Sequence, residues 1–318
     1  MSRRRMMGPV GTLLLASGLL AVPFVGVRAQ TPGTRMEPRT RLVMLGTGNP
    51  NADPDRWGPA SAVVVDNGAY LVDAGVGVVR RAAKAARDDH IPALAPARLD
   101  RVFITHLHSD HTMGLPDLLL TPWVLERPDP LTVYGPPGIE RMMDLIGEAW
   151  SEDIAIRRDG LEPHEHNKYA YRSVVHEILP GLVYSDSLVK VYAFQVHHGA
   201  WKYAYGYRFV GPDRTIVFSG DTRPTDAVVK ACDGCDILVH EVYSAERLKA
   251  RTPEWQRYHR AYHTSTVELA DIARRAHPKL LVLYHQLYWG TDDAGLIREI
   301  RAAGYTGPVV SAKDLDVF

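Results

Sequence analysis

The chain has 318 residues, 46% of them hydrophobic and 23% charged, enough for one large or two ordinary domains and too apolar for a disordered scaffold. With only 2 cysteines it is not a disulfide-dense miniprotein. Lys+Arg and Asp+Glu number 37 each, but residues 1–29 hold Arg3, Arg4, Arg5 and Arg28 and no acid. The remainder therefore has 33 basic against 37 acidic residues, a charge of −4 that speaks against general nucleic-acid binding.

The first 29 residues read as a signal peptide. A basic cluster precedes an uncharged stretch from Met6 to Val27, and small Ala29, with Val27 two residues earlier, suits cleavage before Gln30. Periplasmic or secreted protein with no membrane attachment after cleavage is expected. An uncleaved anchor is the alternative, because the apolar run is near the shortest that spans a bilayer. SRRRMM weakly resembles a twin-arginine signal, and no cysteine follows to take a lipid. A short leader, 30–40, then precedes a single domain over 41–318.

RLVMLGTGNP and SAVVVDNGAYLVDAG predict strands, the second containing a hairpin with Asn67 and Gly68 at its turn. VGVVRRAAKAARDD has helical spacing, and DRVFITHLHSDH is a buried strand running into a polar loop. LTVYGPPG, VYAFQVHH, YGYRFV, RTIVFSGD, DILVHEVY and KLLVLYHQL predict further strands; IERMMDLIGEAW, STVELADIARRAH and AGLIREIRAAG predict helices. The segment 151–187 is less regular and reads evenly as pocket lining or as surface loop. Its His164, His166 and His176 read as surface histidines. Strands and helices alternate without a fixed repeat, so the fold class is α/β with helices covering sheet faces.

The sharpest signal follows the apolar strand VFI, where His106, His108, Asp110 and His111 crowd into six positions. Buried imidazoles and a carboxylate each need a polar partner, so they cannot all be ordinary core. They are suitable zinc ligands, and a loop after a strand can point several at one place. His198, Asp221 and His285 sit where other strands end, and the count supports two metal ions rather than one. Either His197 or His198 could reach a metal, but alternation along a strand keeps both from doing so.

H-x-H-x-D-H on a strand-end loop resembles the signature of the metallo-beta-lactamase superfamily. Its context resembles the ribonuclease Z branch with its arylsulfatase-like and phosphodiesterase-like relatives. The resemblance runs from LGTGNP through Asp73-Ala74-Gly75 to VLYHQ. It implies an αββα sandwich of two facing mixed sheets covered by helices, and a hydrolase with two Zn(2+) ions, for which Mn(2+) or Fe can substitute. It places His106, His108 and His198 on the first ion, Asp110, His111 and His285 on the second, and Asp221 between them. His198 is preferred over His197 because it precedes glycine, with G-Y-R following. His240-Glu241-Val242-Tyr243 and His263-Thr264-Ser265-Thr266 resemble two downstream motifs of the branch in altered form. They imply that His263 protonates the leaving oxygen while Glu241 orients it, ordinary polar surface residues being the alternative reading. Asp110 would orient the attacking water, which the ions activate. A homodimer is also implied.

Export, the acidic balance and the lack of a long Gly/Lys-rich insert argue against precursor tRNA. A small-molecule or short ester is expected, a phosphodiester first and an aryl sulfate second. Trp201, Tyr203, Tyr205, Tyr288 and Trp289 are then candidate aryl contacts or plain packing. Lactone or β-lactam hydrolysis and a noncatalytic metal-binding module follow. G-T-G in LGTGNP lacks the spacing of a dinucleotide fingerprint and reads as a tight turn near the metal rim. Cys232 and Cys235 cannot form a four-cysteine zinc site, and leave a short disulfide or a reduced pair open.

Overall fold

The computed structural model describes residues 38–163 and 165–318. The expected signal peptide, most of the leader and His164 lie outside the described residues. Six strands form one sheet in sequential order: β1 (Thr40–Gly46), β2 (Ala60–Val65), β3 (Gly68–Val72), β4 (Arg101–Phe103), β5 (Leu131–Gly135) and β6 (Ser173–Glu177). The first three pair antiparallel, and β3 to β6 run parallel. Seven more form a second sheet: β7 (Gly181–Ser185), β8 (Lys190–Gln195), β9 (Tyr205–Val210), β10 (Thr215–Phe218), β11 (Ile237–Tyr243), β12 (Leu280–Leu287) and β13 (Val309–Ser311), in order β13-β12-β11-β10-β9-β8-β7. Here β7 to β10 pair antiparallel and β10 to β13 run parallel.

Strand alternation explains the layering, since successive side chains leave opposite faces of a sheet. In β1, Leu42 and Met44 join Phe103, Tyr207, Phe209 and Phe218 in a core between the two sheets. Val43 and Leu45 instead pack with residues of the helices Val78–Asp88 and Leu115–Val124. On the far side, Val217, Leu238 and Leu283 meet Leu269 and Leu296 of the helices Thr266–Ala276 and Asp293–Ala302. The result is the expected αββα sandwich. Burying each of the large side chains between the sheets stabilises it by about 2 kcal/mol.

Three local expectations change. Val65 pairs with Gly68, so the hairpin turn is Asp66-Asn67, one residue early, and Asp66 takes the left-handed conformation at φ 50°. Segment 151–187 is loop only in part: it holds the helix Ser151–Asp159 and the strands β6 and β7, with turns and bends between the helix and β6. Two exposed edge strands carry little apolar alternation to read. The helix Pro253–Tyr262, PEWQRYHRAY, buries only His259 and so lacks an apolar stripe. Cys232 and Cys235 are joined in a disulfide.

One buried charge is purely architectural. Arg127 is fully buried and donates to five carbonyls, those of Leu99, Leu118, Leu119, Asp129 and Ala170, at 2.8 to 3.3 Å. It ties the helix Leu115–Val124 to the chain entering β4, β5 and β6, and burial lowers its pKa to about 10.

Candidate metal centre

The ends of the parallel strands of both sheets meet at one rim. Asp73 follows β3, and Thr105 and His106 follow β4. His108 is the N-cap of a single helical turn, Ser109–Thr112, that contains Asp110 and His111. From the second sheet come His198 after β8, Asp221 after β10, Glu241 within β11 and His285 within β12. His263 ends the helix Pro253–Tyr262.

His285 is not at a strand end as expected. It is the extra residue of a β-bulge, because Glu241 pairs with Tyr284 and Val242 with Gln286. It has φ 48°, and its amide donates to Thr47 O at 3.0 Å. The LGTGNP turn thus braces the bulge that aims this imidazole. Glycine is required at Gly46 and Gly48, where a Cβ would lie 2.0 Å from Gly58 O and 2.6 Å from Trp57 O.

The predicted donors converge in three overlapping groups, the last of which adds His263: His106, His108, His198 and Asp221; Asp110, His111 and His285; and Asp221, His263 and His285. Within each group the ligand atoms lie within 4.8 Å of one another. His108 Nδ1 is 3.0 Å from both His106 Nε2 and His198 Nε2. Asp221 Oδ2 is 3.6 Å from His111 Nε2 and 3.3 Å from His285 Nε2, and Asp110 Oδ2 is 3.2 Å from His285 Nε2. His197 is exposed and His198 fully buried, so the cluster takes His198 of the two.

Outer contacts set the tautomers. His198 Nδ1 lies 2.7 Å from Tyr262 O, which only accepts, so Nδ1 carries the proton and Nε2 presents a lone pair to the cluster. His111 Nδ1 is likewise 2.8 Å from Asp73 Oδ2. His106 Nδ1 reaches Thr105 Oγ1 at 3.0 Å, and that hydroxyl donates to the same Asp73 carboxylate. Asp73 therefore orients two imidazoles, one directly and one through Thr105, as outer carboxylates do at metal sites. His108 differs: Trp201 Nε1 donates to its Nε2 at 2.7 Å.

Burial, and behind it the charge of His111, holds His106 well below the usual histidine range, and burial takes His198 down to about 3. These rings are neutral and ready to donate lone pairs. Against the cost of burial, His111 and His285 keep Asp110 down at about 2 and Asp221 well below the carboxylate range. The same carboxylates, with Asp73, hold His111 well above its ordinary value despite its burial. Buried His111 Nε2 and Asp221 Oδ1 have no hydrogen-bond partner. Orphaned buried atoms, neutral imidazoles and ionised carboxylates aimed at one region are the donor set a divalent metal takes, so the residues fit such ions.

His263 Nδ1 is 3.3 Å from Glu241 Oε2 and 3.9 Å from Asp221 Oδ2. The His263 and Glu241 atoms touch without hydrogen-bond alignment. Both residues are buried, which excludes the reading of this pair as ordinary surface polars. Glu241 accepts from Thr264 N at 2.8 Å, and burial with the Asp221 charge pushes its carboxyl well above the usual range. Burial takes His263 down to about 4.

A cavity of about 350 Å³ opens over the cluster, floored by His108, Asp110, Asp221, His263 and His285 and walled by Arg251, Trp255, Tyr258, His259 and Trp289. Of the five aromatic residues expected near a substrate, Trp289 lines it. Trp201 holds His108, Tyr205 donates to Ile178 O in the core, and Tyr288 bonds Asp293. Tyr203 has Lys202 over its ring. The wall residues Trp255, Tyr258 and His259 sit on the helix without an apolar stripe to read, and Arg251 just ahead of it. Aromatic side chains at 255, 258, 259 and 262, in helical spacing before the HTST motif, are the signal that could have found them. No described residue of 151–187 lines this cavity.

Comparison with known proteins identifies the family and the fold. A family model described as Beta-lactamase superfamily domain matches residues 69–286. The ribonuclease Z of Mycobacterium bovis (strain BCG / Pasteur 1173P2) is 31% identical over 278 residues, 86% of this chain and 96% of that protein. Among solved structures, human tRNase Z, short form, has a TM-score of 0.64 at 24% identity, covering 87% of this chain and 98% of its own. The metallo-beta-lactamase fold protein YhfI from Bacillus subtilis has a TM-score of 0.66 at 17% identity, covering 88% and 98%. At these identities the two structures speak for the fold alone.

Proposed function

The chain belongs to the metallo-beta-lactamase superfamily and is a metal-dependent hydrolase related to ribonuclease Z, and from that premise we propose an exported phosphodiesterase acting on small esters. The observation that carries this reading is the buried His263–Glu241 pair, 3.3 Å apart, set between the metal-binding cluster and an open cavity. A diester with a poor leaving group needs such a proton donor, whereas a strained lactam or lactone needs one less.

His106, His108 and His198 would hold one zinc ion and Asp110, His111 and His285 a second, with Asp221 within reach of both groups. Such ions acidify water and stabilise negative charge on the ester. Asp110, ionised and beside His285, orients the attacking water. His263 delivers a proton to the leaving oxygen; an anionic ester in the cavity opposes the burial that lowers its pKa, and Glu241, 3.3 Å away, orients the ring. Asp73, through His111 and Thr105, keeps the ligand rings in place.

The Cys232–Cys235 disulfide supports the export reading, since such bonds persist in oxidising compartments. An intact mass of periplasmic material lacking residues 1–29 is the expected result, and an intact first residue overturns it. The reaction is tested on metal-verified protein by comparing kcat/KM for bis(p-nitrophenyl) phosphate and p-nitrophenyl sulfate, which share a leaving group. A strong phosphate preference is expected. The aromatic wall of Trp255, Tyr258 and Trp289 favours aryl sulfates as the second reading, and a sulfate preference would establish it.

A further inference from the structure

Arg251 stands out among the cavity residues. Its guanidinium sits 5.8 Å from the Trp255 ring and 5.6 Å from the Trp289 ring. Among the described residues it forms no ion pair, and its buried Nε has no hydrogen-bond partner. An unpaired guanidinium held against indole faces keeps its donors for a ligand, and its planar fork matches an anionic oxygen pair.

The surroundings hold it in place. Arg251 N donates to Leu248 O at 3.0 Å, and Gln256 Nε2 donates to Arg251 O at 2.9 Å. The His259 ring lies 4.5 Å from Trp289 and is near parallel to Trp255 at 5.7 Å, so three rings form one cup around the cation. Trp289 adopts φ 45°, a left-handed backbone uncommon for so bulky a residue, and Gly290 follows at φ 94°. That turn presents the indole to the cup. His263 lies on the floor of the same cavity, which makes this the side on which a leaving group departs.

A second recess of about 500 Å³ shares Ser109 and Asp110 with the first, and in it Trp57, Val76 and Met113 are partly exposed. It carries no basic side chain except Arg56, which is engaged by Asp293. Two recesses meeting at Asp110 match the two ester arms of a diester, and only one of them offers a cation free of a carboxylate.

We propose that Arg251, Trp255 and Trp289 form a subsite for a planar leaving-group arm that bears its own negative charge, while the other arm lies on Trp57 and Met113. The substrate class is then a small phosphodiester whose departing arm is an anionic aryl or nucleobase-containing group. The proposal rests on the phosphodiesterase reading above, and its test separates the two.

Two methyl aryl phosphodiesters that share a p-nitrophenolate leaving group, one with a ring carboxylate and one without, are compared on the metal-loaded enzyme. The carboxylate lowers KM about tenfold or more, the usual advantage of a charge-assisted contact, and Arg251→Gln collapses that ratio towards one. Trp255→Ala weakens both esters and leaves the ratio. In parallel, 4-nitrobenzoate and nitrobenzene are titrated by quenching of tryptophan fluorescence, which needs no turnover. Tighter binding of 4-nitrobenzoate that depends on Arg251 supports the subsite even where neither ester is hydrolysed, an outcome that removes only the phosphodiesterase reading. Hydrolysis of both esters with equal KM, or a ratio that survives Arg251→Gln, overturns the subsite and leaves that reading intact.

Discussion

Arg127 and the histidine cluster are both polar and both buried, yet their environments are opposite. Every donor direction of Arg127 ends on a main-chain carbonyl. At the cluster the outer ring nitrogens of His106, His111 and His198 are satisfied, while their inner atoms face one another. His111 Nε2 and Asp221 Oδ1 have no partner at all. Burial of polar groups is costly in either place unless partners are supplied. In the first case the fold supplies them and the group is architecture; in the second the unmet atoms point inward, and a ligand must supply what the chain does not.

That contrast can be broken or sharpened by experiment. Stripping the loaded protein with a chelator reduces hydrolysis to background and added zinc restores it; a stripped protein that keeps its rate would refute the assignment of the cluster. His263→Ala lowers kcat by about 10²- to 10⁴-fold on an ester with a poor leaving group, and by much less with p-nitrophenolate, at unchanged metal content. Equal losses on both leaving groups would remove His263 from proton delivery.

Arg127→Met leaves five carbonyls short of donors and destabilises the fold by about 3 kcal/mol or more in denaturant titrations. Metal stoichiometry of the protein that remains folded is unchanged, which separates architecture from site. Asp73→Asn does the reverse. Asn tolerates the left-handed backbone that Asp73 adopts at φ 60°, so stability changes little. Metal affinity falls about 10- to 100-fold, measured against a chromophoric chelator.

The smallest effect is a pH dependence. His240 is fully buried with Nδ1 on Glu241 O, and burial takes it down to about 4. Its folded pKa is below the unfolded value near 6.5, so the unfolded chain binds the extra proton. The stabilisation is complete above pH 6.5 and is lost as pH falls towards 4, at about 1 kcal/mol per pH unit. Unfolding of metal-free protein at pH 7 and pH 5 should show this slope, reduced in His240→Gln; identical slopes would contradict it.

How much of this was legible depends on the kind of signal. Strands buried on both faces, such as β1, β2 and β11, wrote themselves as apolar runs, and the loop carrying His106 to His111 announced its donors by density. The edge strands β6 and β7 did not, because a half-exposed strand has no apolar face to display. The bulge at His285 was invisible, since KLLVLYHQL reads as an unbroken strand and no glycine marks the left-handed residue. The N-G pair drew the hairpin turn one residue too far along. Glu241 and His263 were found by resemblance alone, and Asp73 was seen as part of a motif but not as the carboxylate behind two ligands. Arg251 had no local signature at all; its meaning comes from two indoles that the fold brings to it.

The indole of Trp201 gives the molecule an optical readout of its own. Its N–H meets His108 Nε2 at 2.7 Å, which requires a lone pair at that nitrogen. An imidazole whose Nδ1 lone pair is engaged carries its proton on Nε2, and then two donors face each other. A metal taken by His108 Nδ1 would therefore displace Trp201 from its present seat. A change in Trp201 emission on loading is the expected result, and subtracting the Trp201→Phe spectrum isolates this one of 6 tryptophans. Loading of the centre can thus be followed by light, without any substrate.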